Sequence, residues 1–411
     1  MSRCEKWKQG KLKHLAVIRN GQDYKNVVSE SGSYPVYGSG GVFAKATDFL
    51  YDGKSVLFGR KGTIDKPRLA AGRFWTVDTM FYSEVDSQAC PEFVYYVATT
   101  IPYSLYSTST ALPSMTQDDL KNHAVLIPSL LEQRQIAGYL NRETAKIDKL
   151  IIKQQKLIKL LQEKRQAVIS QAVTKGLNPN VKMKDSRVEW LGEAPEHWPA
   201  IKLGFVYQMR SGDAITTENI EVEGTFPVYG GNGLRGYSEK YTHNGDFLLM
   251  GRQGALCGNI HKVSGKFWAS EHAVVLNPLM SCVPSYMANL LRHMNLGQYS
   301  VSAAQPGLSV DVISKLRIPF PPIEEQMTIA GYLDEQESSV RNLVEKSITS
   351  ISLLQEHRQA LITAAVTGKI DVRGLVTDEE VAALDADPVL ETTEEDFESE
   401  VAAADYITEE E

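Results

Sequence analysis

The chain is written twice, and this repeat limits its architecture more than any other feature of the sequence. Trp7 with Lys11 and Leu12 answers to Trp198 with Lys202 and Leu203 at an offset of 191 residues. YPVYGSGG (34–41) answers to FPVYGGNG (226–233), and FGRKGTI (58–64) to MGRQGAL (250–256), both at 192. FWTVDTMF (74–81) matches FWASEHAV (267–274) at 193, and Tyr106 to Met115 matches Tyr299 to Leu308 around Pro113 and Pro306. The strongest match comes late: LLQEKRQAVISQAVT (160–174) and LLQEHRQALITAAVT (353–367) agree at eleven of fifteen positions.

Each copy has two parts. The first is rich in Gly, aromatics and short β-type runs such as Ser55 to Phe58 and Phe247 to Met250, each followed by a helical stretch (Glu92 to Thr100; Ser285 to His293). That mixture predicts an α+β globule. The second part starts after a proline stop (Pro128; Pro319 to Pro322) and runs, with only Gly138 and Gly331 as breaks, to Thr174 and Thr367. About 43 helical residues at ~1.5 Å each make a rod on the order of 65 Å long.

Both rods carry heptads. One seam is Leu140, Ile147, Gln154, Leu161 and Val168, repeated as Leu333, Val340, Ser347, Leu354 and Leu361. The other is Ile151, Ile158 and Ala172, matched by Val344, Ile351 and Ala365. A sustained 3.5-residue repeat means a helix that buries its seam against another helix, either as a coiled-coil pair within the chain or as one face of an ordinary bundle. A domain of about 140 residues, with a radius of gyration near ~14 Å, connects adjacent helix ends more easily than ends a rod apart, so the pair is expected to be antiparallel. Gln154 and Ser347 would then form a polar layer that fixes the register.

The net charge of −8 hides an uneven distribution. No Lys or Arg follows Arg373, whereas fifteen Asp and Glu do; without them 43 bases face 36 acids, a net of +7. A mildly basic body with an acidic, disordered tail over 371–411 is expected. Cys4, Cys90, Cys257 and Cys282 form no C-x-x-C pair, which argues against a zinc site or disulfide framework. With no signal-peptide pattern and no apolar run near 18 residues, a cytoplasmic location and no membrane partner are expected.

Catalytic motifs are missing. No G-x-x-x-x-G-K-[ST] string occurs; DFLYDGKS (48–55) has Asp48 where the first Gly belongs. No N-P-P-Y-like tetrapeptide offers a place to methylate adenine, no His pair has metal-ligand spacing, and no Asp/Glu/Lys nuclease trio stands out. A Gly cluster such as VYGSGG, without a helix directly after it, is a weak nucleotide-loop signal.

What remains are Gly-rich loops with polar or basic tips: Arg60-Lys61 between Gly59 and Gly62, and Arg252-Gln253 between Gly251 and Gly254. Flanking glycines let the backbone approach a ligand, and Arg matches the two acceptors of guanine in the major groove. The competing reading is a β-turn whose Arg is merely solvated. Lys61 against Gln253 would be a point at which the two copies read different bases. Tyr37-Gly38 and Tyr229-Gly230 suit either core packing or DNA contact. Ser109 and Thr110, with Ser302 in the second copy, lie in small polar loops near a proline, and Thr116 with Asp119 predicts a capping box.

These strings resemble one known family. The joint VKMKDSRVEWLGEAPEHW (181–198), the starts IPSLLEQRQIAGYL and FPPIEEQMTIAGYL, and the LLQEKRQAVISQAVT pair are similar to those of the specificity subunit of type I restriction–modification systems. The resemblance implies target-recognition domains at 1–128 and 178–321, conserved helical spacers at 129–177 and 322–370, and the tail. It implies that each domain reads one half of a bipartite double-stranded DNA target in the major groove, with no catalytic residue and no cofactor in this chain. The helices would hold two methyltransferase subunits that use S-adenosylmethionine, joined by a restriction subunit with an ATP-driven motor and Mg. One departure is that the N-terminal copy of the DSRVEWLGEAPEHW segment is reduced to Met1 through Trp7. Two other classes stay open: a related restriction–methylation enzyme with a different subunit plan, and a scaffold whose globular ends bind protein.

Overall fold

The structure, a computed structural model, describes residues 7–107, 113–188, 190–254, 256–300 and 307–386. The chain divides into two compact units that interleave along the sequence: 1–153 with 349–411, and 154–348. Each therefore combines one globular copy with part of both long helices.

In the first unit, Ala16–Asn20, Met80–Val85, Ser55–Gly59 and Arg68–Ala70 form an antiparallel sheet in that order. Ser55–Gly59 reads SVLFG and is buried throughout, as expected of a strand covered on both faces. A second sheet orders Gly41–Ala46, Tyr34–Gly38, Arg73–Thr76 and Tyr51–Asp52, with its one parallel pairing setting Val36 beside Trp75. The second unit repeats both sheets: Tyr207–Ser211, Ala273–Pro278, Phe247–Gly251 and Ile260–Val263, then Gly233–Ser238, Phe226–Gly230, Lys266–Ala269 and His243–Asn244. Its parallel pair sets Val228 beside Trp268. Even the irregularity is repeated, for the hairpin register slips at Val36/Tyr37 and at Val228/Tyr229.

The long helices span Leu130–Lys175 and Ile323–Val366. At the first start, Ser129 and Glu132 bond reciprocally side chain to backbone, which caps exposed helix amides. In the first unit Arg358 donates to Asp148 across the two helices at 2.9 Å; in the second, Arg165 donates to Glu337 at 2.7 Å. Partner numbers fall on one helix as they rise on the other, so the helices pair antiparallel. Of the seam residues, Leu140, Ile147, Leu161, Leu333 and Ser347 are buried, while Gln154, Val168, Val340, Leu354 and Leu361 are half-buried. The seam residues nearest the globular copies join each unit's core: Leu140 packs in the cluster of Phe58, Phe93 and Ile362, and Leu333 in that of Trp198, Tyr286 and Val173. Together these elements make an α+β fold: two pseudo-repeated mixed domains on two long helices forming an antiparallel coiled coil.

The expectation of a disordered tail needs correction over its first part. Asp378–Ala386 is a helix. Its Glu380 pairs with Arg142 of the first long helix at 3.0 Å, Leu384 is buried, and Lys54 donates to the Leu384 carbonyl. The acidic composition concealed a short apolar face, Val376, Val381 and Leu384, that has a wall to pack on. Residues after 386 lie outside the described ones. Among the described residues, no helix is long and apolar enough to cross a membrane.

Candidate nucleic-acid interface

The loop strings singled out in the sequence converge in each unit. In the first, the turn Gly59–Gly62 leaves the buried strand Ser55–Gly59 and meets two other segments. The Gly62 amide donates to the Pro113 carbonyl at 2.9 Å and Met115 donates to Arg60 at 3.0 Å, so the segment entering the helix Gln117–Asn122 runs beside the turn. The hairpin tip after Gly38 is the other neighbour: a Cβ on Gly62 would lie 3.6 Å from the Ser39 hydroxyl, and Arg68 of the adjoining strand donates to the Gly40 carbonyl at 3.3 Å. The second unit repeats the arrangement: Leu308 donates to the Arg252 carbonyl at 2.9 Å, and Gln253 bridges to Gly307. A Cβ on Gly251 would collide with the Gly231 carbonyl of the hairpin tip, just as one on Gly59 would collide with the Thr63 carbonyl. Gly62 and Gly254 adopt φ of +84° and +93°, a region glycine enters without strain. Glycine in G-R-x-G is thus required by the backbone itself.

Two further segments belong to this cluster that sequence reasoning missed. Arg60 donates its amide to the Thr79 carbonyl, and Arg252 donates to that of His272, both at 2.8–2.9 Å. Behind them, Gly21 donates to Met80 and Gly212 to Ala273. The loops 77–79 and 270–272, and the segments 19–23 and 210–213, are joined to the turn through backbone bonds, which leave no side-chain signature. The only hint is weak: RNG (19–21) and RSG (210–212) align in the repeat.

The polar side chains are held. The Arg60 guanidinium donates to the Asp78 carbonyl at 3.2 Å and lies 5.9 Å from the Phe81 ring centre. Arg252 donates to the Ser211 hydroxyl at 3.0 Å. Lys61 and Gln253 are exposed, and Gln253 Oε1 stands 3.2 Å from His272 Nδ1, whose other nitrogen is 3.1 Å from Glu271. Each cluster therefore offers a fixed guanidinium beside an exposed side chain that differs between copies. The neighbouring Asp78, Glu271 and Asp213 add acceptors suited to base amino groups.

Tyr37 has a different place from the contact residue the sequence allowed. Its ring is 8% exposed and packs edge-on to Phe74 at 5.8 Å, so core packing accounts for it. Tyr229 is half-buried against Phe267 at 5.9 Å, and burial pushes its phenol above the ordinary value. Gly38 and Gly230 are buried, and side chains at these positions would press on Phe43 and Arg235. Ser109, Thr110 and Ser302 lie outside the described residues. The Thr116–Asp119 capping box is present. Among the described residues, no group of three or more His, Cys, Asp or Glu is placed to hold a metal ion.

Comparison with known proteins gives the arrangement a family. The model for the type I restriction modification DNA specificity domain matches residues 4–162 and 195–351, one block in each copy. Over 149 residues the chain is 41% identical to the type I restriction enzyme EcoprrI specificity subunit of Escherichia coli, covering 35% of this chain and 37% of that protein. Over 294 residues it is 24% identical to the MjaVIII specificity subunit of Methanocaldococcus jannaschii, covering 65% of this chain and 66% of that one. The chain thus spans from about a third to about two thirds of the length of these curated relatives. In fold it is similar to a chain from a structure on complex assembly and conformational transition of the type I R-M system, with a TM-score of 0.69 and 17% identity over 89% of this chain and 98% of that one. The family model covers well over half of the sequence and falls on both repeats, so this chain belongs to the family of type I restriction–modification specificity subunits.

Proposed function

We propose that the chain is the non-catalytic reader of a type I restriction–modification complex, each globular copy recognising one half of a bipartite DNA target in the major groove. The observation that carries this reading is the loop cluster built twice from the same backbone bonds, with Lys61 in one copy where Gln253 stands in the other. Phosphate contacts orient a protein on DNA, whereas side chains on base edges specify sequence. Two similar scaffolds with different tips suit two different half-sites. The long antiparallel helices would hold two methyltransferase subunits and, with them, a restriction subunit. S-adenosylmethionine, ATP and Mg would belong to those partners, and the complex would act on DNA in the cytoplasm.

The test is to map methylated adenines genome-wide in a host carrying this chain with its methyltransferase subunit. A motif of two short specified blocks separated by unread bases is expected, and changing Lys61 to Gln should alter one block only. A continuous motif, or both blocks changing together, would overturn the reading. Should the chain be a protein-binding scaffold instead, duplex retention by the assembled complex would lack the steep salt dependence of phosphate contacts.

A further inference from the structure

Gln253 stands at the tip of the second unit's glycine turn, exposed but held by one end. Its Oε1 is 3.2 Å from Nδ1 of His272, and the other ring nitrogen of His272 is 3.1 Å from Oε1 of Glu271. The second oxygen of that carboxylate accepts from the Ile215 amide at 3.3 Å. The backbone under the ring is fixed as well. The His272 amide donates to the buried Ser270 hydroxyl at 3.4 Å, and its carbonyl accepts from the Arg252 amide at 2.9 Å. A relay that starts on a main-chain amide therefore ends on the carboxamide of the turn.

The first unit keeps the backbone of this arrangement and changes its side chains. The repeat puts Lys61 where Gln253 stands, Asp78 at Glu271 and Thr79 at His272, and the Thr79 carbonyl still accepts from the Arg60 amide at 2.8 Å. The exchange follows the chemistry of the tips. An ammonium carries three equivalent donors, so rotating it changes nothing that it offers. A carboxamide has an acceptor at one end and a donor at the other, and a half-turn about its last torsion, which is broadly two-fold, swaps them. Only the copy whose tip has two unlike ends carries an imidazole against one of them.

We propose that Gln253 reads an adenine in its half-site and that His272, backed by Glu271, is the positioning residue that fixes which end of the carboxamide meets that base. The inference rests on the loop cluster facing the major groove, as proposed above. Adenine shows an N7 acceptor beside an N6 amino donor there, and a carboxamide matches the two as a pair. Guanine shows two acceptors, N7 and O6, which suit Lys61 and would set the Gln253 oxygen against an oxygen. A proton on His272 Nδ1 makes its contact with Oε1 a hydrogen bond, whereas the amide end turned inward would set donor against donor. Oε1 has two lone pairs, so it keeps one for the N6 amino group while His272 holds the other. Turned end for end, the carboxamide would put its oxygen on N7 and its hydrogens on the amino group, and both bonds would be lost.

The experiment selects bound duplexes with the full chain assembled with its methyltransferase subunits, from pools randomised over one block of the target while the other block is held fixed. Gln253→Lys should change one position of one block from adenine to guanine, and Gln253→Ala should leave that position unread. His272→Phe should cut the preference for adenine there by about 5- to 150-fold, the worth of a bidentate base contact, and leave every other position as it was. His272→Asn, which keeps an N–H near the place of Nδ1, should retain most of the preference. One arm needs no variant of the positioning residue. Replacing that adenine by 7-deazaadenine, which lacks the N7 acceptor, should weaken binding by the unaltered chain and not by Gln253→Ala. A position that is not adenine in the unaltered target, an adenine preference that survives His272→Phe in full, or a His272→Phe loss spread evenly over all sequences would overturn the proposal. If no position responds to residue 253 while the target stays two separated blocks, this inference falls and the reading of the chain as a two-part DNA reader stands. A continuous target would bring down both.

Discussion

The carboxamide of Gln133 accepts a hydrogen bond from the Cys90 amide at 2.9 Å while donating to the Pro128 carbonyl at 3.0 Å. One side chain, 1% exposed, thereby ties the start of a long helix to the start of the helix Pro91–Ala98. Gln326 does the same in the second unit, accepting from Val283 at 3.0 Å and donating to Pro321 at 2.9 Å. Gln133→Ala or Gln326→Ala leaves a buried amide and a buried carbonyl unpaired. Each should cost about 2 kcal/mol or more, read as a lower urea midpoint. A loss below about 0.5 kcal/mol would mean that water replaces the carboxamide.

Arg60→Ala and Arg252→Ala should each weaken recognition of a single half-site. A bidentate contact to guanine is worth about 1–3 kcal/mol, a loss that competition with half-site-swapped duplexes would measure on the assembled complex. Equal loss on all sequences would identify a phosphate contact instead. Neither substitution should lower the unfolding midpoint much, since the guanidinium bonds to the Asp78 carbonyl and the Ser211 hydroxyl both lie at the surface.

The architecture was legible because the same physical problem is solved twice. The shared strings at the helix starts carry Gln133 and Gln326, and the shared G-R-x-G strings carry turns that no other residue fits. Side-chain identity announces such positions. The loops 77–79 and 270–272 escaped because they hold the turn through main-chain carbonyls, which any residue supplies. Tyr37 was ambiguous because a tyrosine before a hairpin glycine looks the same in a sequence whether its ring points inward or outward. The helix Asp378–Ala386 was missed because its acids dominate the composition, although Val381 and Leu384 have helical spacing.

The glycine turns give a sharper test of the loop cluster. Gly59→Ala and Gly251→Ala each drive a methyl group into backbone carbonyls, the Thr63 oxygen in one unit and the Gly231 oxygen in the other. Backbone atoms yield less readily than flexible side chains, so a loss of about 1–3 kcal/mol is expected. The accompanying binding defect should be confined to one half-site. A variant that reads both half-sites normally would show that the turn does not face DNA.

Acid should destabilise the protein before its carboxylates titrate. Burial holds the imidazoles of His123, His243 and His293 below their usual 6.5. Each therefore binds a proton more readily in the unfolded chain, so its contribution is complete above that value and is lost as pH falls through the folded one. The urea midpoint should fall between about pH 7 and 5. His123 bonds to the Tyr106 hydroxyl at 2.9 Å, and His123→Gln, which keeps a partner for that hydroxyl, should flatten the slope. An unchanged slope would assign the effect to the other two.

The C-terminal helix gives the last prediction, because its seat is basic in one copy only. The Thr377 amide and then Arg142 hold the Glu380 carboxyl below its ordinary value, and Val376 packs over Gly138. At the repeat-equivalent positions Arg142 becomes Glu335 and Lys54 becomes Asp246, so the second copy carries the wrong sign for an acidic helix. Glu380→Lys should release residues 378–386, seen as faster amide hydrogen exchange there and at the facing turns of the long helix. Arg142→Glu alone should do the same, and the two together should restore protection by re-forming the pair with its signs exchanged. If the double variant exchanged as fast as either single one, the apolar contacts of Val376 and Leu384 would be what seats the helix, and Arg142 would be a bystander.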